Sequence, residues 1–355
     1  MKKFILVMFL SSFGTTVIYP KDNINQNNPN NKQLEILGGG CLEPSSNAEL
    51  DIGNVRTTIL GGGDMWWNLT EARYEIPKNE GVHSLFAGSL WIGGLDDQNN
   101  LKIAAMTYRQ TGSDFYPGPL NADSNSPLFG STSFDDCIDY NQHWVISKNE
   151  VEAYVTYLEC TNNPDCDTNV SFPNYVVPDV ITNWPSSHYS FDGTNEYLAP
   201  FIDVDGDGIY NNSDYPAYDL NASGNCSSED YLYGDQSIWW VFNDAGNFHG
   251  ETGGTQIGLE IQAQAFAYKT TDVLSDMTFY NYKIINRSNE TLNETYFGQW
   301  VDPDLGNYLD DYVGCDVNLG LGYCYNGDDD DEGMQGSTGY GLNPPAIGVD
   351  FFKGP

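Results

Sequence analysis

Positive charge is what this sequence has least of. Its 355 residues carry 14 Lys and Arg against 50 Asp and Glu, a formal charge of -36 at pH 7. A field of that sign repels nucleic acid and anionic lipid, so neither is expected as a partner. Histidine is scarce too, and the four present (His83, His143, His188, His249) are scattered. No His-Glu-x-x-His, Gly-x-Ser-x-Gly or phosphate-cradling glycine motif occurs, so the usual zinc-protease, serine-hydrolase and nucleotide-binding signatures are missing. No two cysteines stand as Cys-x-x-Cys, which argues against a zinc centre. Past the N-terminus no apolar run approaches bilayer length, so no membrane span is expected.

What is abundant points to a folded, exported chain. Aromatics make up 14% of the residues, with 24 Tyr and 8 Trp, too many for an acidic disordered chain. Residues 1–20 read as a signal peptide: Lys2 and Lys3, then the short apolar run Phe4–Phe13. Residues 21–50 form a polar linker rich in Asn and Gln at its start. The seven cysteines of an exported chain favour disulfides. Cys315 and Cys324 bracket a Gly-rich loop and are the preferred pair, with Cys160–Cys166 next. The odd count leaves at least one thiol free or shared with another chain.

Strand-like runs dominate. In residues 51–135 they are Asn54–Leu60, Ser84–Ile92 and Leu101–Tyr108, the last two joined by a hairpin-like Gly93–Asn100. In residues 221–355 they are Ser237–Asn243, Leu259–Tyr268, Met277–Asn286, Thr295–Val301 and Ile347–Phe352. Leu259–Tyr268 alternates with a period of two and has one polar-leaning face. Between these regions, residues 136–220 change character. Ser147-Lys-Asn-Glu150 fits a capping box, and Val151, Tyr154, Val155 and Leu158 follow at helical spacing, predicting a helix from Lys148 to Glu159. The rest of this insertion is expected to be irregular. Little helix separates the strands, so the expected class is all-β: an antiparallel, jelly-roll-like sandwich with a short helical and irregular insertion. The chain stops at Gly354-Pro355 without a finishing element, which suggests a longer protein.

The insertion ends in the most informative stretch. Asp203, Asp205 and Asp207 alternate, Gly208 follows, and Asp214 closes a twelve-residue loop. Calcium takes six to eight oxygens at roughly 2.3–2.6 Å, and alternating side chains on a tight loop can supply them. The expected ligands are Asp203, Asp205, Asp207, the Ile209 carbonyl, Asn211 and Asp214, with Gly208 at the sharp bend. A Ca2+ ion is therefore the expected cofactor. An acidic surface turn with no ion is the competing reading, and the close alternation of acids disfavours it. A second acidic cluster contains Asp302, Asp304, Asp310, Asp311, Asp316, Asp328–Asp331 and Glu332. It lacks that regular spacing, so a solvated loop is preferred there over a second calcium site.

Several runs resemble the N-terminal region of large secreted and cell-surface proteins of the Bacteroidota exported by the type IX route. They include Gly61–Trp67, His83–Gly94, Tyr108-Arg-Gln, Tyr233–Asp244 and Met277–Tyr282. Gly298–Asp302, Asp311–Asp316, Gly322–Asp328 and Gly341–Asp350 extend the likeness over most of the chain from residue 51. The resemblance implies export and surface display, without an established activity. The adhesin-like repeats and C-terminal sorting domain usual in such proteins are not in this sequence.

Two functional classes follow. The first is a secreted, calcium-stabilised surface module of a larger extracellular protein, binding or adhering to a cell-surface or extracellular protein or glycan, without catalysis. The second is a carbohydrate-binding module or glycoside hydrolase. It would use Trp66, Trp67, Trp239 and Trp240 as sugar platforms and a pair of carboxylates as acid and base. Neighbouring residues of a strand face opposite ways, so at least one Trp of each pair belongs to the core. In a chain with 50 acids, carboxylate pairs are expected by chance.

Overall fold

The computed structural model describes residues 4–12, 40–189, 195–218, 220, 224–227, 230–334 and 336–353. Residues 1–3 and 13–39 of the leader and linker lie outside them. Two sheets face each other. The inner sheet runs Trp144–Ser147, Gln236–Asn243, Leu259–Ala267, Thr278–Asn286, Phe4–Ser12, Ala346–Lys353, Leu321–Asn326, Asp311–Asp316. The outer sheet runs Asn293–Asp302, Ala87–Leu95, Asp64–Met65, Arg56–Leu60, Tyr74–Glu75, His83–Leu85. Asn293–Asp302, from the second β region, pairs antiparallel with Ala87–Leu95 from the first, so both regions build one sandwich.

Period-two patterning explains the packing. Ile238, Trp240 and Phe242 point into the sandwich with Ile261, Ala263, Ala265 and Tyr280, and meet Ile59, Met65, Trp66, Leu90 and Ile92 of the outer sheet. The alternate residues Trp239 and Val241 point the other way, into a second core built by the insertion with Trp144, Val151, Tyr154, Trp184 and Phe201. Three layers result, and the middle strands of the inner sheet, Gln236–Asn243 and Leu259–Ala267, are buried on both faces. Leu259–Ala267 is consequently buried at every position, Gln262 and Gln264 included. Its polar-leaning face lies under the insertion, with Gln264 opposite Trp239.

The same layering corrects the sugar-platform assignment. Trp66, Trp67, Trp239 and Trp240 are all buried, at 0%, 3%, 3% and 1% exposure. Trp67 is roofed by Phe86 and Tyr108, and Trp239 by Trp144 and Trp184. Rings enclosed in this way offer no face to a sugar.

The helix expected from Lys148 to Glu159 is present as Lys148–Asn162, with Ser147 and Glu150 completing the capping box. The insertion is less irregular than expected, since it also holds Phe134–Asp139 and two helices of four residues, Thr168–Ser171 and Asp179–Thr182. Phe4–Ser12, the described part of the expected leader, is a strand parallel to both Thr278–Asn286 and Ala346–Lys353. An uncharged apolar run suits a strand flanked on both sides for the reason it suits a leader: it has no charge to desolvate.

Disulfides join Cys160 to Cys166, as expected, and Cys41 to Cys137, which spacing did not reveal. Cys315 and Cys324 are both free, which corrects the preferred pairing. The hairpin register sets Cys315 opposite Gly322 and Cys324 opposite Val313, so the two cysteines are diagonal neighbours. Diagonal positions lie about 7–8 Å apart, beyond the usual disulfide reach.

Candidate metal centre

The acidic loop leaves the strand Phe201–Asp203, which pairs with Tyr215–Pro216 and Asn225–Cys226 in a small sheet. Gly206 and Gly208 take φ of +76° and +77°, the left-handed conformation that folds the loop back on itself. A Cβ at Gly208 would also lie 2.8 Å from the Tyr197 hydroxyl oxygen. The fold brings ligand oxygens of Asp203, Asp205 and Asp214 within 4.8 Å of one another. Among the described residues this is the one such group of His, Cys, Asp and Glu.

Local donors hold each carboxylate in place. Asp203 accepts from the Gly206 and Gly208 N–H groups at 2.7 and 2.9 Å. Asp205 accepts from the Asp207 N–H at 3.2 Å, the Asn211 amide at 3.2 Å and the Ser213 hydroxyl at 3.3 Å. Asp214 is fully buried and accepts from the Val204 and Asn211 N–H groups at 2.9 and 2.8 Å. Burial pushes the Asp214 carboxyl above its ordinary range; those two N–H groups oppose the rise, while Asp205 and Asp203 add to it. At an effective dielectric near 20, two carboxylate charges at this spacing repel by roughly 3–4 kcal/mol. A divalent cation between them converts that repulsion into attraction, and the all-oxygen donor set suits a hard ion such as calcium.

Of the other expected ligands, Asp207 is outside this group, while Asn211 lies beside it, with its amide 3.2 Å from Asp205 and 3.1 Å from the Ile209 carbonyl. Asp207 accepts from the Ile209 N–H at 2.7 Å, as a turn residue does. The Ile209 carbonyl accepts from the Asn211 amide, and Asn211 Oδ1 accepts from Ser213. The residues that sequence spacing missed are the anchors. Tyr154, on the capped helix, donates to the Asn212 carbonyl at 2.6 Å. Tyr210, inside the loop, donates to the Ile181 carbonyl at 2.7 Å and packs edge-on against Phe201. Tyr154 was visible only as one position of an apolar helical stripe, and nothing in the stripe says where its hydroxyl points.

Two other polar groupings are structural. Asp244 is buried and accepts from the N–H groups of Ile257, Gly258 and Leu259. His249 lies beside it, with Nδ1 2.7 Å from the Ile103 carbonyl and Nε2 2.8 Å from the Asp244 carbonyl. A cleft of about 430 Å³ is lined by Glu49, Arg56, Arg73, Glu75 and His83. Arg56 pairs with Glu75 at 2.5 Å and Arg73 with Glu71 at 2.7 Å, so its cations are already matched by acids.

No family of known proteins, no curated protein and no solved structure matches the chain. No described helix is long and apolar enough to cross a membrane.

Proposed function

We propose that the chain is an exported, calcium-stabilised β-sandwich module that works by binding at a cell surface, as part of a larger extracellular protein. The observation that carries this reading is the convergence of Asp203, Asp205 and Asp214 on a loop tied to the insertion by Tyr154 and Tyr210. An ion there fastens the insertion layer to the small sheet and has a structural role. Two disulfides support an oxidising compartment, and the resemblance to type IX-exported surface proteins supports display. Extracellular calcium sites work at Kd values of about 10⁻⁴–10⁻³ M, because the ion outside cells is abundant. Calcium at about a hundred times its Kd stabilises by about 2.7 kcal/mol, a rise of about 4 °C in Tm for a chain of this size. The expected result is that chelation lowers the wild-type Tm by about that much more than it lowers the Tm of Asp205→Asn. It also opens the 136–200 segment to protease. Equal responses in both proteins contradict the assignment.

A glycan-binding reading has one observation in its favour, at residues other than the Trp pairs. Trp91 and Trp300 lie with ring planes parallel to within 1° and centroids 6.4 Å apart. Gly298 stands opposite Trp91 in the register, so Tyr296 and Trp300, two residues to either side, share its face of the outer sheet. Trp91 is 38% and Tyr296 76% exposed. Flat exposed rings stack on the apolar faces of sugars, and the net charge favours neutral glycans. On a glycan array, the expected result is binding that Trp91→Ala weakens at least about tenfold, the loss of roughly one stacking contact. An array without hits removes this reading.

A further inference from the structure

The second acidic cluster, expected as a solvated loop, exposes Asp328, Asp329 and Glu332 but buries Asp331. Asp331 is fully buried and accepts from the N–H groups of Asn307 at 3.0 Å and Tyr340 at 2.6 Å. Asp311 accepts from the Leu305 N–H at 2.8 Å, so the two carboxylates flank one turn, Leu305-Gly306-Asn307. Gly306 has φ of +74°, and a Cβ there would stand 2.0 Å from an Asp331 carboxylate oxygen. Opposite Asp311 in the hairpin register stands Asn326, which is 2% exposed. Directly paired residues of an antiparallel ladder share a face, so the Asn326 side chain stands beside that of Asp311.

Three side-chain oxygens here are buried without a hydrogen-bond partner of good geometry: Asp310 Oδ1, Asp311 Oδ1 and Asn326 Oδ1. Leaving a buried acceptor unmatched costs about 1–3 kcal/mol, and more when it is charged. The buried Cys324 thiol also faces Asp311, yet acceptor oxygens still outnumber donors around this turn, and such an excess is the complement of a cation. We infer that Asp311, Asp331 and Asn326, with Asp310 beside them, form a second divalent-cation site of the calcium class. Its oxygens are more widely set than those of the Asp203 loop, and the ion draws them together. The site joins the end of the Asp311–Asn326 hairpin to the turn after Asn293–Asp302, which fastens the inner sheet to the outer one. This inference is independent of the Asp203 loop.

Isothermal titration of the chelated protein with calcium tests it. The wild type is expected to take up two ions per chain, Asp205→Asn one, Asp311→Asn one, and the double variant none. Asn326→Asp, which adds a charged oxygen in the same place, is expected to tighten the second site by about tenfold. A wild type that binds one ion, lost in Asp205→Asn and kept in Asp311→Asn, overturns this site and leaves the first standing. A wild type that binds one ion, lost only in Asp311→Asn, supports this site and removes the first. Two ions bound with unchanged affinity in a folded Asp311→Asn protein also overturn the inference.

Discussion

Replacing Asp244 with alanine is expected to cost about 5 kcal/mol of folding stability, read from the urea midpoint. Its carboxylate accepts from three consecutive N–H groups, those of Ile257, Gly258 and Leu259, at 2.5, 2.9 and 2.6 Å. Hydrogen bonds to a charged acceptor contribute about 1.5–3 kcal/mol each, and all three donors would remain buried. The change also strips a partner from His249. Both ring nitrogens of His249 face carbonyl oxygens, and a neutral imidazole has only one N–H to give, so the ring is held as the imidazolium. Burial pulls its pKa down, but the side chain and carbonyl of Asp244, helped by Asp114, outweigh burial and raise it. The sign follows from linkage: a base with a raised folded pKa contributes fully below its unfolded value, about 6.5, and that contribution fades as pH rises through the folded value. Wild-type stability should therefore decline as pH rises above about 6.5, with a slope that His249→Gln removes. A loss under about 1 kcal/mol in Asp244→Ala contradicts the assignment of Asp244 as the organiser of this turn.

Asp214→Ala is expected to cost about 3–4 kcal/mol even in chelator. The fully buried carboxylate is the acceptor for Val204 N–H at the loop's entrance and Asn211 N–H near its exit, so one side chain closes the loop. Removing it orphans both donors. In calcium the cost should grow by the lost binding free energy, about 2.7 kcal/mol at a hundred times the Kd. Denaturation of wild type and variant in chelator and in calcium separates the two contributions. An apo cost near zero would mean the loop is held by something other than Asp214.

The two central strands were legible because alternation and apolar runs are local signals, whereas Phe4–Ser12, Asp311–Asp316 and Leu321–Asn326 were not read as strands. Gln236–Asn243 and Leu259–Ala267 lie within a residue or two of their expected bounds. The capped helix was legible because Ser147 and Glu150 announce its start, and only its end ran a little longer. What escaped was set by tertiary packing. A period of two says that Trp239 and Trp240 face opposite ways, but not that an insertion covers the outward one. Cys41 and Cys137 are 96 residues apart, and no spacing rule reaches that far. Cys315 and Cys324 look paired along the chain, yet the hairpin register sets them on a diagonal. At the candidate site the alternating acids marked the loop and named three of its converging groups, while the anchoring hydroxyls of Tyr154 and Tyr210 needed the fold. In the second acidic cluster the chain shows only crowded charge. Its buried oxygens come together through a cross-strand pair and a distant turn, which no reading along the sequence contains.

Hydrogen exchange of the Asp203–Asp214 loop and the Lys148–Asn162 helix, with calcium and with chelator, reaches the central claim most directly, because it reports on that layer alone. With calcium at about a hundred times its Kd, exchange by local opening should slow by about a hundredfold in the loop and helix of the wild type. In Asp205→Asn, which keeps an oxygen for the Asp207 N–H and removes the charge that an ion needs, calcium should leave the same amides unchanged. Wild-type amides indifferent to calcium, or a variant protected as well as the wild type, would contradict the account.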